Sequence, residues 1–361
     1  MMYVINFLGG LAMFLFAMKL MSDNLNSIAG NELKGILKKI TSTPYKGVLV
    51  GLVVTAITQS STATQLMTMG LVNSKIMTLL QAIGVNMGAD IGTTLTGQMI
   101  AFKISHWSYL FVLFGVILLF IKKSRAMERW SMIILSFGLL FIGLDAMSGA
   151  VSPLRHSDIF SDFMIHISHN PILTILTGVV VCMIINSSTG TIGIVMALAM
   201  NGLVPPVAAM YIVLGANIGT NSTGLIASLS LQRPAKRVAL FCMMYNVIGV
   251  SIFSLLTYLG FFDRFICFIT TGSSQFPDLI RKFNQTGNLY EVYKTLEYGV
   301  IPTENVLQGF NIARFIANAH TFYNVTWCIL VLPFAGFMEK FVCFIIKDGK
   351  KRPFRLVSLN I

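Results

Sequence analysis

TQSSTAT at residues 58–64 returns as INSSTGT at residues 185–191, and GADIGTT at 88–94 returns as GANIGTN at 215–221, both at an offset of 127. At that offset residues 51–97 fall on 178–224 without a gap, and 18 of the 47 positions are identical. Upstream, LFAMKLMS (15–22) matches FIGLDAMS (141–148) at nearly the same spacing. Self-similarity of this extent marks a duplicated unit. The chain divides into repeat one (1–127), repeat two (128–262), an external or interfacial segment (263–310), a C-terminal transmembrane helix (311–346) and a basic cytoplasmic tail (347–361).

The material around the repeats fixes the solvent. Of 361 residues, 55% are hydrophobic and only 11% charged, too little polar surface to cover a soluble fold. Charge-poor stretches long enough to cross a bilayer recur, as at 104–121 and 132–147. The expected class is an all-α polytopic membrane protein. The apolar run 4–20 carries its sole basic residue, Lys19, at its far end, the wrong polarity for a signal peptide, so it reads as a retained first helix. The net charge of +12 gathers at 34–46, 122–129, 233–237 and 340–355, in loops and tail without an aromatic-rich basic face. That pattern is the positive-inside rule and not nucleic-acid binding. The five cysteines are isolated, without metal-ligand spacing, and read as packing residues.

Topology follows from counting. With 47–72 and 171–200 taken as re-entrant hairpins, repeat one has three full crossings, at 4–21, 76–102 and 104–121. An odd number starts repeat two from the opposite side, which gives inverted-topology repeats with discontinuous helices. With the N-terminus outside and the C-terminus cytoplasmic, 18 of the 26 Lys and Arg fall inside.

The repeated motifs carry the chemistry. Four polar side chains in a row at membrane depth line a cavity or interrupt a helix, and Ser and Thr favour helix starts. A break is therefore expected at residues 59–62 and again at 186–189. A half-helix starting there offers unpaired N–H groups and a positive dipole end. Two such starts near the midplane make an oxyanion site without Lys or Arg, and indeed 55–70 and 184–199 hold no charge. The preceding carbonyls, with Gln, Asn and Thr side chains, suit a hard monovalent cation. Asp90, whose repeat partner is Asn217, costs roughly 2.5–3.5 kcal/mol at mid-membrane and must be paired, protonated or ion-bound. The competing reading of Ser, Thr and Gly in such helices is close packing. His320 and Asn324 share one helix face, and residues 237–246 repeat that skeleton with Cys242 in place of the histidine and Asn246 at its end. These favour a structural role. His156, His166 and His169 receive none.

These motifs resemble the type II sodium/phosphate cotransporter family in its bacterial form, without the C-terminal regulatory domain many members carry. The carriers are QSSTATQ, NSST, both G-A-D/N-I-G-T segments, GGLAMFLFAMKLMS and ANAHTFYN. The resemblance implies sodium-coupled phosphate symport by alternating access. Carried over, phosphate would contact Ser60, Ser61, Thr62, Ser187, Ser188 and Thr189. Sodium, the coupling ion, would involve Gln59, Thr64, Asp90, Thr93, Asn186, Thr191, Asn217 and Thr220, backed by Gly92, Gly219, Asn246, His320 and Asn324. Asn186 stands where the family has Gln, Asp90 where it has Asn, and Thr321 where electrogenic animal members have Asp. The expected partners are phosphate, sodium and the lipid bilayer of a bacterial plasma membrane, with a homodimer allowed for. Three alternatives stand beside this reading: efflux, another small oxyanion or proton coupling, and a non-transporting phosphate sensor or scaffold. No Ser-His-Asp arrangement, metal cluster or phosphate loop suggests an enzyme.

Overall fold

The structure, a computed structural model, describes residues 2–29, 43–102, 104–121, 123–153, 167, 170–271 and 311–347. Within them the fold is helical throughout. Repeat one supplies α1 (Met2–Ala29), α2 (Pro44–Thr58), α3 (Ser61–Asn73), α4 (Leu79–Ile100) and α5 (Ser108–Ile121). Repeat two supplies α6 (Arg125–Val151), α7 (Pro171–Ile185), α8 (Ser188–Met200), α9 (Pro206–Ser228) and α10 (Arg233–Tyr258). Then come α11 (Phe262–Thr271), α12 (Ile312–Val331) and α13 (Ala335–Ile345).

Helices α1, α6, α10 and the α12–α13 stretch Ile312–Ile345 are long and apolar enough to span a bilayer. The 22-residue α4 reaches about 33 Å at 1.5 Å per residue. Helix α5 has only 14 residues, and a 3-10 turn at Ile104–Trp107 extends it, which brings the stretch to about 29 Å. The helix expected at 311–346 is interrupted. Pro333 sits in a 3-10 turn, Leu332–Phe334, that separates α12 from α13, as expected of a residue that cannot donate into the ladder. Of the segment 263–310 the described part is helical to Thr271, with Phe262, Asp263, Ile266 and Cys267 buried. The rest of that segment, the tail beyond residue 347, the basic cluster at 34–42 and the three unassigned histidines lie outside the described residues.

The repeats correspond helix for helix. Each hairpin opens on a capped helix with proline in its first turn: Thr43 accepts from Lys46 N–H before α2, and Asn170 accepts from the Ile172 and Leu173 amides before α7. Each hairpin has left-handed residues at matching positions, Gln59 with Asn186 at the tip and Lys75 with Gly202 at the far end. The tightest contacts match as well. Helix α2 lies on α4 so closely that a Cβ on Gly88 would sit 1.9 Å from the Val48 carbonyl oxygen. In repeat two, α7 lies on α9, and a Cβ on Gly215 would sit 2.1 Å from the Ile175 oxygen. Helices α1 and α6, themselves repeat counterparts, meet through Gly10 and Gly143 against backbone atoms of the partner helix. Small residues that let backbones touch are the usual means of helix association in lipid. Around these seams α3 packs on α10 and α9 of the other repeat, and α8 packs on α6, α4 and α12.

Candidate functional site

Both polar motifs interrupt a helix, and the interruption is narrower than the four residues expected. Helix α2 ends at Thr58. Gln59 turns left-handed (φ 54°), and its N–H donates to Thr55 O. Ser60 is extended and caps α3, its Oγ accepting from Ala63 N–H at 3.1 Å. In repeat two Asn186 is left-handed (φ 55°), and Ser187 caps α8 by accepting from Gly190 N–H at 3.0 Å. Ser61 and Ser188 are thus already the first helical residues. Among the described residues the amides of Ser61 and Thr62, and of Ser188 and Thr189, have no protein acceptor. Each tip therefore presents two free N–H groups at the positive end of a half-helix.

The left-handed residues are anchored alike. Thr96 Oγ1 on α4 donates to Gln59 Oε1. Its repeat counterpart Thr223 on α9 donates to Asn186 Oδ1 at 2.5 Å. Thr64 Oγ1 lies 2.8 Å from Thr55 Oγ1 across hairpin one and also donates to Ser60 O, as Thr191 does to Ser187 O. Thr93 and Thr220 bond back to Ala89 O and Ala216 O of their own helices. Gly92 and Gly219 permit the hairpin crossings, against Thr55 and Leu52 in one repeat and Cys182 and Val179 in the other.

Between the repeats Ser61, Asp90 and Thr220 line one cavity, together with Gln65, Asn86, Ala89, Asn221 and Cys242. It has room for about one water-sized body. Asn246 Nδ2 donates to Asp90 Oδ2 at 2.9 Å, and Tyr323 OH donates to Asn246 Oδ1 at 3.5 Å. At the other GxxIGT segment, His320 Nε2 lies 3.2 Å from Asn217 Oδ1. That oxygen accepts, so the ring proton sits on Nε2. Asn324 Nδ2 donates to His320 O within α12. Ser188 and Thr189 are buried, and Thr62 is half-buried. Among the described residues no hydrogen bond runs from one hairpin tip to the other.

Several of these residues were not singled out from sequence: Gln65, Asn86, Thr96, Asn221 and Thr223. Thr96 and Thr223 were available as an identity just beyond the second motif. Gln65 and Asn86 are polar where the offset places Ile192 and Val213.

A family profile described as Na+/Pi-cotransporter matches residues 13–149 and 155–271. A Bacillus subtilis protein named "Uncharacterized protein YqeW" is 29% identical over 252 residues, 70% of this chain and 82% of its own length. The Escherichia coli K12 protein named "Putative inorganic phosphate export protein YjbB" is 22% identical over 348 residues, 96% of this chain. The chain spans only 56% of that relative's length. The human "Sodium-dependent phosphate transport protein 2B" is 30% identical over 96 residues, 26% of this chain and 14% of its own length. No solved structure matches. With one profile matching well over half of its length, the chain belongs to the Na+/Pi-cotransporter family.

Proposed function

We propose that this chain carries inorganic phosphate across the membrane by alternating access, coupled to sodium, with the oxyanion bound at the two hairpin tips. The observation that carries this reading is the pair of half-helix starts, each with two free amides and a serine cap, in segments without a single Lys or Arg. Amide and hydroxyl donors recognise phosphate without a fixed counter-charge, which suits a substrate that must leave again. Ser60, Ser61 and Thr62, with Ser187, Ser188 and Thr189, are its contacts. Inverted repeats, an outside N-terminus and a bacterial plasma membrane belong to the same reading. A second reading, net phosphate efflux, is favoured by the name of the YjbB relatives.

The test is labelled-phosphate flux in proteoliposomes with sodium, potassium or choline gradients of either direction. Sodium-driven flux lost in both Ser61→Ala and Ser188→Ala is the expected result. Flux that runs only outward under the same gradients selects efflux, and no phosphate flux under any gradient removes the proposal.

A further inference from the structure

We infer that the cleft between the end of α1 and the start of α6 is a binding site for the phosphate of one anionic phospholipid headgroup. It is a cavity of about 270 Å³ lined by Asn24 from α1 and by Arg125, Glu128, Arg129 and Met132 from α6. Arg125 and Arg129 lie one turn apart on the same helix face, where like charges repel and weaken the helix. Neither has a carboxylate partner among the described residues. Arg129 donates to Ser27 O, one of the last-turn carbonyls that α1 cannot satisfy within itself. That bond fixes its guanidinium at the joint with donors to spare. Arg125 has no protein acceptor among the described residues. Glu128 sets one negative charge against the two positive ones, so the cavity stays net cationic.

The surroundings select a lipid over a dissolved anion. Met132 gives the cavity an apolar wall. Next to Arg129 in the chain is Trp130, 53% exposed, and the end of α5 that leads into α6 carries Phe120, 86% exposed. An exposed tryptophan among apolar neighbours marks headgroup level, and guanidinium groups pair bidentately with phosphate. Under the orientation proposed above, this end meets the cytoplasmic leaflet, where basic pockets between helices hold anionic headgroups. The site does not depend on whether the chain transports phosphate. Its volume exceeds what an ion or a water needs and admits a phosphodiester with its glycerol. The positive-inside rule accounts for the side on which these charges lie, but not for their convergence on one cavity. The duplicated seam does not require them either. Moved by 126 positions, the offset at which α1 matches α6, Arg129 falls on Tyr3 and Asn24 on Ala150, and the described residues at that opposite end of the α1–α6 contact include no Arg or Lys.

The test uses the full chain purified in detergent. Thermal stability and lipid retention in native mass spectrometry are read against added phosphatidylglycerol, phosphatidylcholine or inorganic phosphate. Phosphatidylglycerol should stabilise the wild type and be retained, while phosphatidylcholine does neither. Arg125→Gln and Arg129→Gln should each weaken the response to phosphatidylglycerol about tenfold, the loss of one charge-assisted bond. Lys123→Gln removes a nearby charge outside the lining and should leave the response unchanged. Equal action of phosphatidylcholine overturns the inference, as does an unweakened response in Arg125→Gln. An equal loss in Lys123→Gln overturns it too, because diffuse charge alone would then account for binding. Stabilisation by inorganic phosphate that disappears in Arg125→Gln assigns the cavity to a dissolved anion and overturns the lipid. Should Arg129→Gln misfold through its lost bond to α1, Arg125→Gln decides alone, since it gives up no protein bond.

Discussion

Replacing Gly88 by alanine should be among the most damaging single-methyl changes in this protein. The added Cβ would lie 1.9 Å from Val48 O, 2.7 Å from its carbonyl carbon and 2.8 Å from its Cα. Ordinary contact begins at 3.4 Å, so α2 and α4 must part by about 1.5 Å. The obstacle is backbone, which no rotamer change relieves. The cost should reach the upper end of overpacking penalties, about 3 kcal/mol. Gly70 on α3 is the control: nothing lies within 4 Å of a Cβ there, and repeat two already carries Ala197 at the matching position. Alanine at 70 should be neutral or stabilise by up to about 1 kcal/mol through helix propensity. Four of the five cysteines are buried, so a thiol-reactive fluorophore reports unfolding in detergent without added labels. Gly88→Ala should melt several degrees below wild type, and Gly70→Ala at or above it. The reasoning from backbone contact is refuted if Gly88→Ala melts no lower than Gly70→Ala.

Thr96→Val and Thr223→Val each remove the hydroxyl that anchors a left-handed residue at a hairpin tip. One lost bond of about 1.5 kcal/mol should slow initial phosphate uptake roughly tenfold in either variant at normal protein yield, and unchanged rates in both would count against the tips. His320→Leu leaves buried Asn217 Oδ1 without its donor and should cost about 1–3 kcal/mol, read by the same thermal assay. Arg237 gives two bonds to Ile346 O, at 2.9 and 2.7 Å. Arg237→Ala should therefore free the end of α13 and speed amide exchange there, with Arg237→Lys intermediate because its head cannot form both bonds.

The hairpins were legible because their polar runs recur at one spacing in segments otherwise apolar. A polar run identifies an interruption, while its exact width depends on which serine becomes the cap. Ser60 and Ser187 take that role, and the neighbouring Ser61 and Ser188 join the helix. The packing reading was also partly right. Gly92 and Gly219 serve helix crossings, while Thr64 and Thr191 close their own hairpins. Asp90 was marked by its cost, but its neighbours Gln65 and Asn86 look like ordinary amides in apolar helices until the two repeats are subtracted from one another. The break at Pro333 was missed because the apolar run continues through it and hydropathy does not register a lost N–H.

The seams described above have a mechanical consequence. Where α2 meets α4, α7 meets α9 and α1 meets α6, glycines such as Gly88, Gly215, Gly10 and Gly143 bring backbone against backbone. At those points no rotamer change makes room, so sliding along the seam means climbing over carbonyls. Each hairpin's first arm and the helix behind it therefore behave as one stiff plate, and α1 with α6 as a strut. Whatever moves in this molecule must shear where side chains meet, along α3 against α9 and α10 and along α8 against α4, α6 and α12. Those two surfaces are where a crosslink should stop the machine.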